Sequence, residues 1–137
     1  MNTDLEEIKN NFLLFDNQPD KFEYLIEIGK DNNGISNNLK IDKNLIIGCA
    51  SRSWVICYKK ENLFFIKIDS EAHIVRGLLS ILQHVVNSRS ISEIINLDGK
   101  QILIEIGLEN NITSQRINGF LSALDTVKSL VNGCERN

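Results

Sequence analysis

Ile74, Val75, Leu78, Leu79, Ile81, Leu82, Val85 and Val86 recur at the period of an α-helix and form a broad apolar stripe. The stripe predicts the best-defined helix of the chain, and a face this wide has to be buried against other elements. Asp69 and Ser70 stand shortly before it, and either residue type can cap a helix amino terminus. Arg76, Gln83 and His84 interrupt the apolar run, which stays far short of the roughly 18 to 20 apolar residues that a membrane-spanning helix needs. No membrane segment is expected.

On the amino-terminal side, Leu5, Ile8, Phe12 and Phe15 predict one helix. Pro19 and Asp20 open a second, in which Phe22, Leu25 and Ile26 share a face. That helix is expected to stop near Asn33 and Gly34, because glycine takes up the positive φ found at many helix ends. Residues 37 to 43 read as a polar connector. The pattern then changes to short extended runs. Residues 45 to 48 read as a strand, residues 53 to 58 as another with Trp54, Ile56 and Tyr58 on one face, and residues 63 to 68 as a third with Phe64, Ile66 and Ile68 on one face. The polar residues 59 to 62 predict a hairpin turn. Ser90 and Glu93 have the spacing of a capping box for a short helix. Residues 101 to 107 are read as helix, although Ile102, Ile104 and Ile106 also alternate as in a strand. Ile117, Phe120, Leu121, Leu124, Val127, Leu130 and Val131 predict an amphipathic terminal helix. The expected fold is α+β in one domain over residues 1 to 137, with a small antiparallel sheet of about three strands and helices mainly on one of its faces.

Length and composition permit such a core. A chain of 137 residues buries roughly two-thirds of its unfolded surface on folding. Its 42% hydrophobic and 24% charged content matches soluble globular proteins. The net charge is −3, and the scattered lysines and arginines leave no positive stripe for phosphates, which disfavours nucleic-acid binding. The start, MNTDLEEIKNN, carries acids where a secretory signal carries bases, so export is not expected. Cys49, Cys57 and Cys134 are odd in number and far apart in sequence. This argues against a disulfide framework and a structural zinc site, and predicts free thiols in a reducing compartment. His73 and His84 would stand about 16 Å apart along one helix and cannot share an ion. No metal site is expected.

Cys49 lies in IIGCASRSW, where Gly48, Ala50, Ser51 and Ser53 suggest a tight loop with the thiol at its tip. An accessible thiol there could react, but a free cysteine is usually a small buried hydrophobe, and loop placement alone does not overturn that reading. Cys57, on the strand face opposite Trp54, reads as core, and Cys134 as an incidental thiol of the tail. Asp69, Ser70 and Glu71 read as cap and first-turn acids of the following helix. Gly77 and Gly119 fall inside helical patterns, where glycine costs about 1 kcal/mol relative to alanine, and read as points of close packing.

Four segments in order, KFEYLIEIGK, GCASRSW, DSEAHIVRGLLSIL and SQRINGF, resemble the SufE family of cysteine-desulfurase partners. That family has a Gly-Cys-x-Ser-x-x-Trp loop, an Asp-Ser-acid-Ala segment opening an Ile-Val-basic-Gly-Leu helix, and a late Ser-Arg-x-x-Gly segment. Ala50 replaces a frequent Gln, Arg52 and Ser53 alter the loop, and no Pro precedes the late arginine. The resemblance implies a SufE/IscU-like fold and a cytoplasmic protein. Cys49 would accept sulfane sulfur from a persulfide on a SufS-type, PLP-dependent cysteine desulfurase, stimulate its turnover, and pass sulfur to an iron-sulfur scaffold. Such a protein is sulfurtransferase-like without being a self-sufficient enzyme. It binds no cofactor itself, the PLP being the partner's.

By the same resemblance, Gly48, Ser51, Arg52, Trp54, Asp69, Arg76 and Arg116 support the loop or meet the partner. For Arg52 the readings are a lowered thiol pKa, a pair with a partner acid, or a solvated charge. For Arg76 and Arg116 they are partner contact or a structural salt bridge. Ile46, Ile47 and Trp54 flank the loop and predict a thiol shielded in the free protein and exposed on docking. Two other functions remain: a U-type iron-sulfur scaffold, which would need several converging cysteines, and a non-catalytic desulfurase-binding domain. A homodimer is compatible with the sequence.

Overall fold

A computed structural model describes residues 5 to 136; residues 1 to 4, part of the segment read for an export signal, and Asn137 lie outside it. Its helices are α1 (Leu5–Leu14), α2 (Gln18–Asp31), α3 (His73–Val86), α4 (Ile91–Ile95), α5 (Gly99–Glu105) and α6 (Ser114–Arg136), with strands β1 (Ser53–Lys60) and β2 (Leu63–Ser70) between α2 and α3. The wide stripe predicted for α3 is the centre of the molecule. Leu78, Leu79, Ile81, Leu82, Val85 and Val86 are all buried, covered by α2, β2 and α6.

The α2–α3 crossing is set by two glycines. A Cβ on Gly29 would lie 3.0 Å from the Gly77 amide nitrogen, and one on Gly77 would collide with the backbone carbonyl of Leu25. The absence of both side chains lets the helices touch backbone to backbone, the close packing expected of Gly77. Asn17 caps α2 by accepting from the Asp20 amide at 2.9 Å. The helix ends at Asp31, a few residues before Gly34, whose φ is 69°.

The hairpin forms as the alternation predicts. Glu61 (φ 53°) and Asn62 (φ 67°) make its two-residue turn, and two positive φ values in succession give the twist that matches the strands. Residues directly opposite in an antiparallel pair share a face. Val55 with Ile68 and Cys57 with Ile66 therefore face the helices, while Trp54 with Asp69, Ile56 with Lys67, and Tyr58 with Phe65 face the other way. Ser90 and Glu93 do form a capping box, and residues 99 to 105 are helical.

Two local expectations are corrected. The sheet has two strands, not three. Leu45 makes only an isolated bridge to Trp54, and Gly48, at φ 97°, turns the chain out of the extended conformation. Asp69 and Ser70 do not cap α3: they end β2, held there by pairing with Trp54 and Ser53, and α3 starts after Ala72 with no side-chain cap. The Ser70 hydroxyl instead accepts from the Ala72 amide at 3.2 Å within the intervening turn. The α+β class with helices on one sheet face stands. Among the described residues no helix is long and apolar enough to cross a membrane.

Gly77→Ala tests the crossing. In an open helix this change gains about 1 kcal/mol, but here the methyl meets a carbonyl that cannot move without α2, and overpacking of this kind costs about 1–3 kcal/mol or more. Urea titration should show a net loss of about 2 kcal/mol.

Candidate functional site

Cys49 sits on a short loop tied at both ends. At its base the Ile46 amide donates to the Ser53 carbonyl at 2.8 Å, and the Glu71 amide donates to the Arg52 carbonyl at 3.0 Å. The buried Ser53 hydroxyl lies 3.1 Å from the Ser51 carbonyl and 2.9 Å from the Ser70 hydroxyl, joining loop to strand end. Gly48 is required on two counts: its φ is 97°, and a Cβ there would stand 2.6 Å from the Ser122 hydroxyl on α6. The thiol itself leans on α6 and donates to the Gly119 carbonyl at 3.6 Å, while a Cβ on Gly119 would lie 3.4 Å from Sγ. Beneath it a cavity of about 130 Å³ is lined by Ala72, Val75, Leu78 and Leu79 of the α3 side and by Gln115, Arg116, Gly119 and Phe120 of α6, with Ala50 and Ser51 at its mouth. Cys49 is half-buried. Of its apolar flanks, Ile46 and Trp54 are buried, but Ile47 is 79% exposed, so it points outward and shields nothing.

Burial pushes the Cys49 thiol above the ordinary cysteine value, and a hydrogen bond with Ser53 offsets part of this. Arg52 is not among the groups that act on the thiol. Its guanidinium lies over the Trp54 ring, 5.6 Å from the centroid. The thiol is therefore at rest a weak nucleophile, because the thiolate is the reactive form.

Asp69 is a buried junction, its side chain 6% exposed. Its carboxylate accepts from the Ile35 amide at 2.9 Å and the Ser70 amide at 2.9 Å, and pairs with Lys40 at 3.2 Å and Arg76 Nε at 3.5 Å. Burial acts to raise its pKa, but the Ile35 amide, Lys40, the Ser70 amide and Arg76 outweigh burial and hold it below the usual aspartate value. Arg76 also donates through Nη2 to the Asn32 carbonyl at 2.6 Å, so here it is a structural residue. Lys40 lies 5.4 Å from the centroid of the Trp54 ring, and Trp54 is itself opposite Asp69 in the strand register. Arg116 makes no salt bridge with a described residue. Its guanidinium lies 5.5 Å from the centroid of the Phe22 ring and it lines the Cys49 cavity.

The structure thus brings Cys49, Ser51 and Arg116 to one cavity beside Gly48, and places Arg52, Trp54, Asp69 and Arg76 in the supporting layer. Gly119 and Ser53 also touch the site, and the sequence does not single them out for it; the signals are a glycine inside a helical stripe and a small polar residue at a strand start. Cys134 packs against the same core cluster as Cys57. Among the described residues no three His, Cys, Asp or Glu side chains are placed to hold a metal.

Two pH measurements check these assignments. Asp69 has a folded pKa below its unfolded one of about 3.9. Its stabilising contribution is complete above that unfolded value and is lost as pH falls through the folded pKa. Asp69→Asn should cost about 3 kcal/mol at neutral pH, since it strands Lys40 and Arg76, and should flatten the acid limb of a stability-versus-pH curve. For Cys49, peptide-mapped iodoacetamide labelling should be slower than for free cysteine at neutral pH, with the midpoint of its pH–rate profile displaced upward.

The family model of the SufE, Fe-S metabolism associated domain matches residues 6–131. An uncharacterized SufE-like protein of Rhizobium etli is 34% identical over 128 residues, covering 90% of this chain and 86% of its own. Another, of Rhizobium meliloti, is 33% identical over 135 residues, covering 96% of each. The cysteine desulfuration protein SufE of Wigglesworthia glossinidia brevipalpis is 29% identical over 119 residues, covering 86% of this chain and 83% of its own. The solution structure of a hypothetical protein from Thermus thermophilus superposes with a TM-score of 0.76 at 14% identity, covering 97% of this chain and 96% of that one, a likeness of fold. With a family model spanning nearly all of the described residues and relatives at one-third identity along most of their length, this chain belongs to the SufE family of Fe-S metabolism associated domains.

Proposed function

We propose that the protein is a sulfur acceptor that takes one sulfane sulfur onto Cys49 from the persulfide of a PLP-dependent cysteine desulfurase, stimulates that enzyme, and hands the sulfur towards iron-sulfur cluster assembly. The observation that carries this reading is the single thiol of the GCASRSW loop, seated over a small cavity between α3 and α6, in a chain of the SufE family. The Cys49 thiolate attacks the outer sulfur of the donor persulfide. A sulfur–sulfur bond forms at Cys49, the donor's breaks, its electron pair leaves on the donor thiolate, and the proton lost from Cys49 balances that charge. One thiol and one persulfide exist before and after, so no oxidant is required.

This chain's residues prepare the step without performing it at rest. Burial keeps Cys49 protonated and quiet, and a partner that draws the loop outward would restore thiolate and access together. Ile47, 79% exposed two residues before Cys49, is the apolar contact such a partner would meet first. Arg52, over the Trp54 ring, supplies a cation for a partner carboxylate. The scaffold alternative is disfavoured because no group of three metal-ligating side chains stands among the described residues. This chemistry suits a reducing compartment such as the cytoplasm, where thiols persist.

Incubation with a cysteine desulfurase, PLP and cysteine, followed by intact mass and peptide mapping, should show one added sulfur at Cys49. Cys49→Ser should accept none and lose the stimulation of cysteine turnover. Acceptance or stimulation surviving in that variant would sink the proposal, whereas binding without acceptance by the wild type would favour the binding-domain reading. Ile47→Asp should weaken stimulation about tenfold, the effect of about 1.4 kcal/mol, with Cys49 labelling unchanged in the free protein.

A further inference from the structure

Cys57 and Cys134 stand 77 positions apart in the chain, yet they meet. Cys57 is on the face of β1 that points to the helices, opposite Ile66. Cys134 is in the last turns of α6, the helix that packs along β1. Both lie in the half-buried margin of the same hydrophobic cluster, both are free, and the two thiols are near enough for each to act on the other. At the helical rise, the roughly 15 residues from Gly119 to Cys134 span about 22 Å, so the pair is remote from the Cys49 cavity and the transfer chemistry does not use it.

From this placement we infer that Cys57 and Cys134 form a redox-modifiable dithiol that a peroxide closes to an intramolecular disulfide, stapling the end of α6 to β1. Burial first, and then the neighbouring Cys134, push the Cys57 thiol up; Cys57 lies within β1, opposite Ile66, whereas Cys134 stands near the end of α6. Cys134 therefore reacts first. Its thiolate attacks one peroxide oxygen, the O–O bond breaks, and a sulfenic acid forms with release of one water after protonation. Cys57 sulfur then attacks the sulfenic sulfur, the S–O bond breaks, and the leaving hydroxide takes up the Cys57 proton as a second water. Two thiols have lost two electrons and two protons, and the peroxide has become two waters. A thiol-based reductant reverses the bond by exchange. The step protects Cys134 from irreversible over-oxidation and closes a loop long enough for a large effect on the unfolded chain.

The test treats the full chain with hydrogen peroxide, blocks remaining thiols under denaturing conditions, and maps peptides. A Cys57–Cys134-linked peptide in the monomer is expected, reversed by dithiothreitol and accompanied by a rise in Tm of roughly 5 to 10 °C. Cys134→Ala and Cys57→Ser should each abolish the link; the first alters only a half-buried position near the helix end, so at least one variant folds. Both thiols remaining alkylatable, a sulfinic acid at Cys134 with no cross-link, or linkage of either residue to Cys49 would each overturn the inference. None of these outcomes depends on a desulfurase, so the result is independent of whether Cys49 accepts sulfur.

Discussion

The ionised carboxylate of Asp69 holds together three pieces of chain that the sheet and helices alone leave separate. It anchors the end of β2, it fixes the connector through the Ile35 amide and Lys40, and it receives Arg76 from the first turns of α3. Gly34 completes the junction by absence, since a Cβ there would collide with Asp69 and reach within 2.8 Å of Arg76. A charge withdrawn from water is costly unless it is paired, and Asp69 meets this with the Ile35 and Ser70 amides, Lys40 and Arg76. The connector that Asp69 fixes leads directly to Leu45, Ile46 and the Cys49 loop, so the position of the thiol is inherited from a salt-bridge network that never touches it.

Around that junction the molecule divides into a rigid frame and a lightly held surface. The frame is the backbone contact of α2 with α3 at Gly29 and Gly77 and the apolar layer shared by α3, α6 and the inner face of the hairpin. The surface element is the loop bearing Cys49, whose thiol donates to the Gly119 carbonyl at 3.6 Å, interacts with Ser53 and lies over the cavity between α3 and α6. Weak attachment of the reactive atom to a strongly attached base is the combination a relay requires.

Most of the architecture is legible where periodicity is strong. The α3 stripe, the alternation of residues 53 to 58 and 63 to 68, and the Ser90 capping box each follow from neighbours a few residues away. Asp69 reads as a helix cap because its decisive partners, Ile35 and Lys40, are about 30 positions distant, and an Asp-Ser pair before a helix has a sufficient local explanation. Residues 45 to 48 read as a strand because an apolar run cannot report that it has only one bridging partner. Residue type and loop context place Cys49 with the buried hydrophobes, and only the ordered family segments single it out. For Cys134 a signal is present: it continues the stripe of Val127, Leu130 and Val131, which puts it on the helix face turned to β1. What no local pattern supplies is that Cys57 waits on that strand.

The double tie at the base of the Cys49 loop has a thermodynamic consequence. A loop whose ends are fixed by the Ile46–Ser53 and Glu71–Arg52 hydrogen bonds has surrendered most of its conformational freedom during folding. Little ordering entropy then remains to be lost when a second protein engages it. Apolar contact at so small a feature as Ile47 can then go towards displacing the thiol from its recess, and the exchange of partners between successive sulfur transfers can be both specific and short-lived.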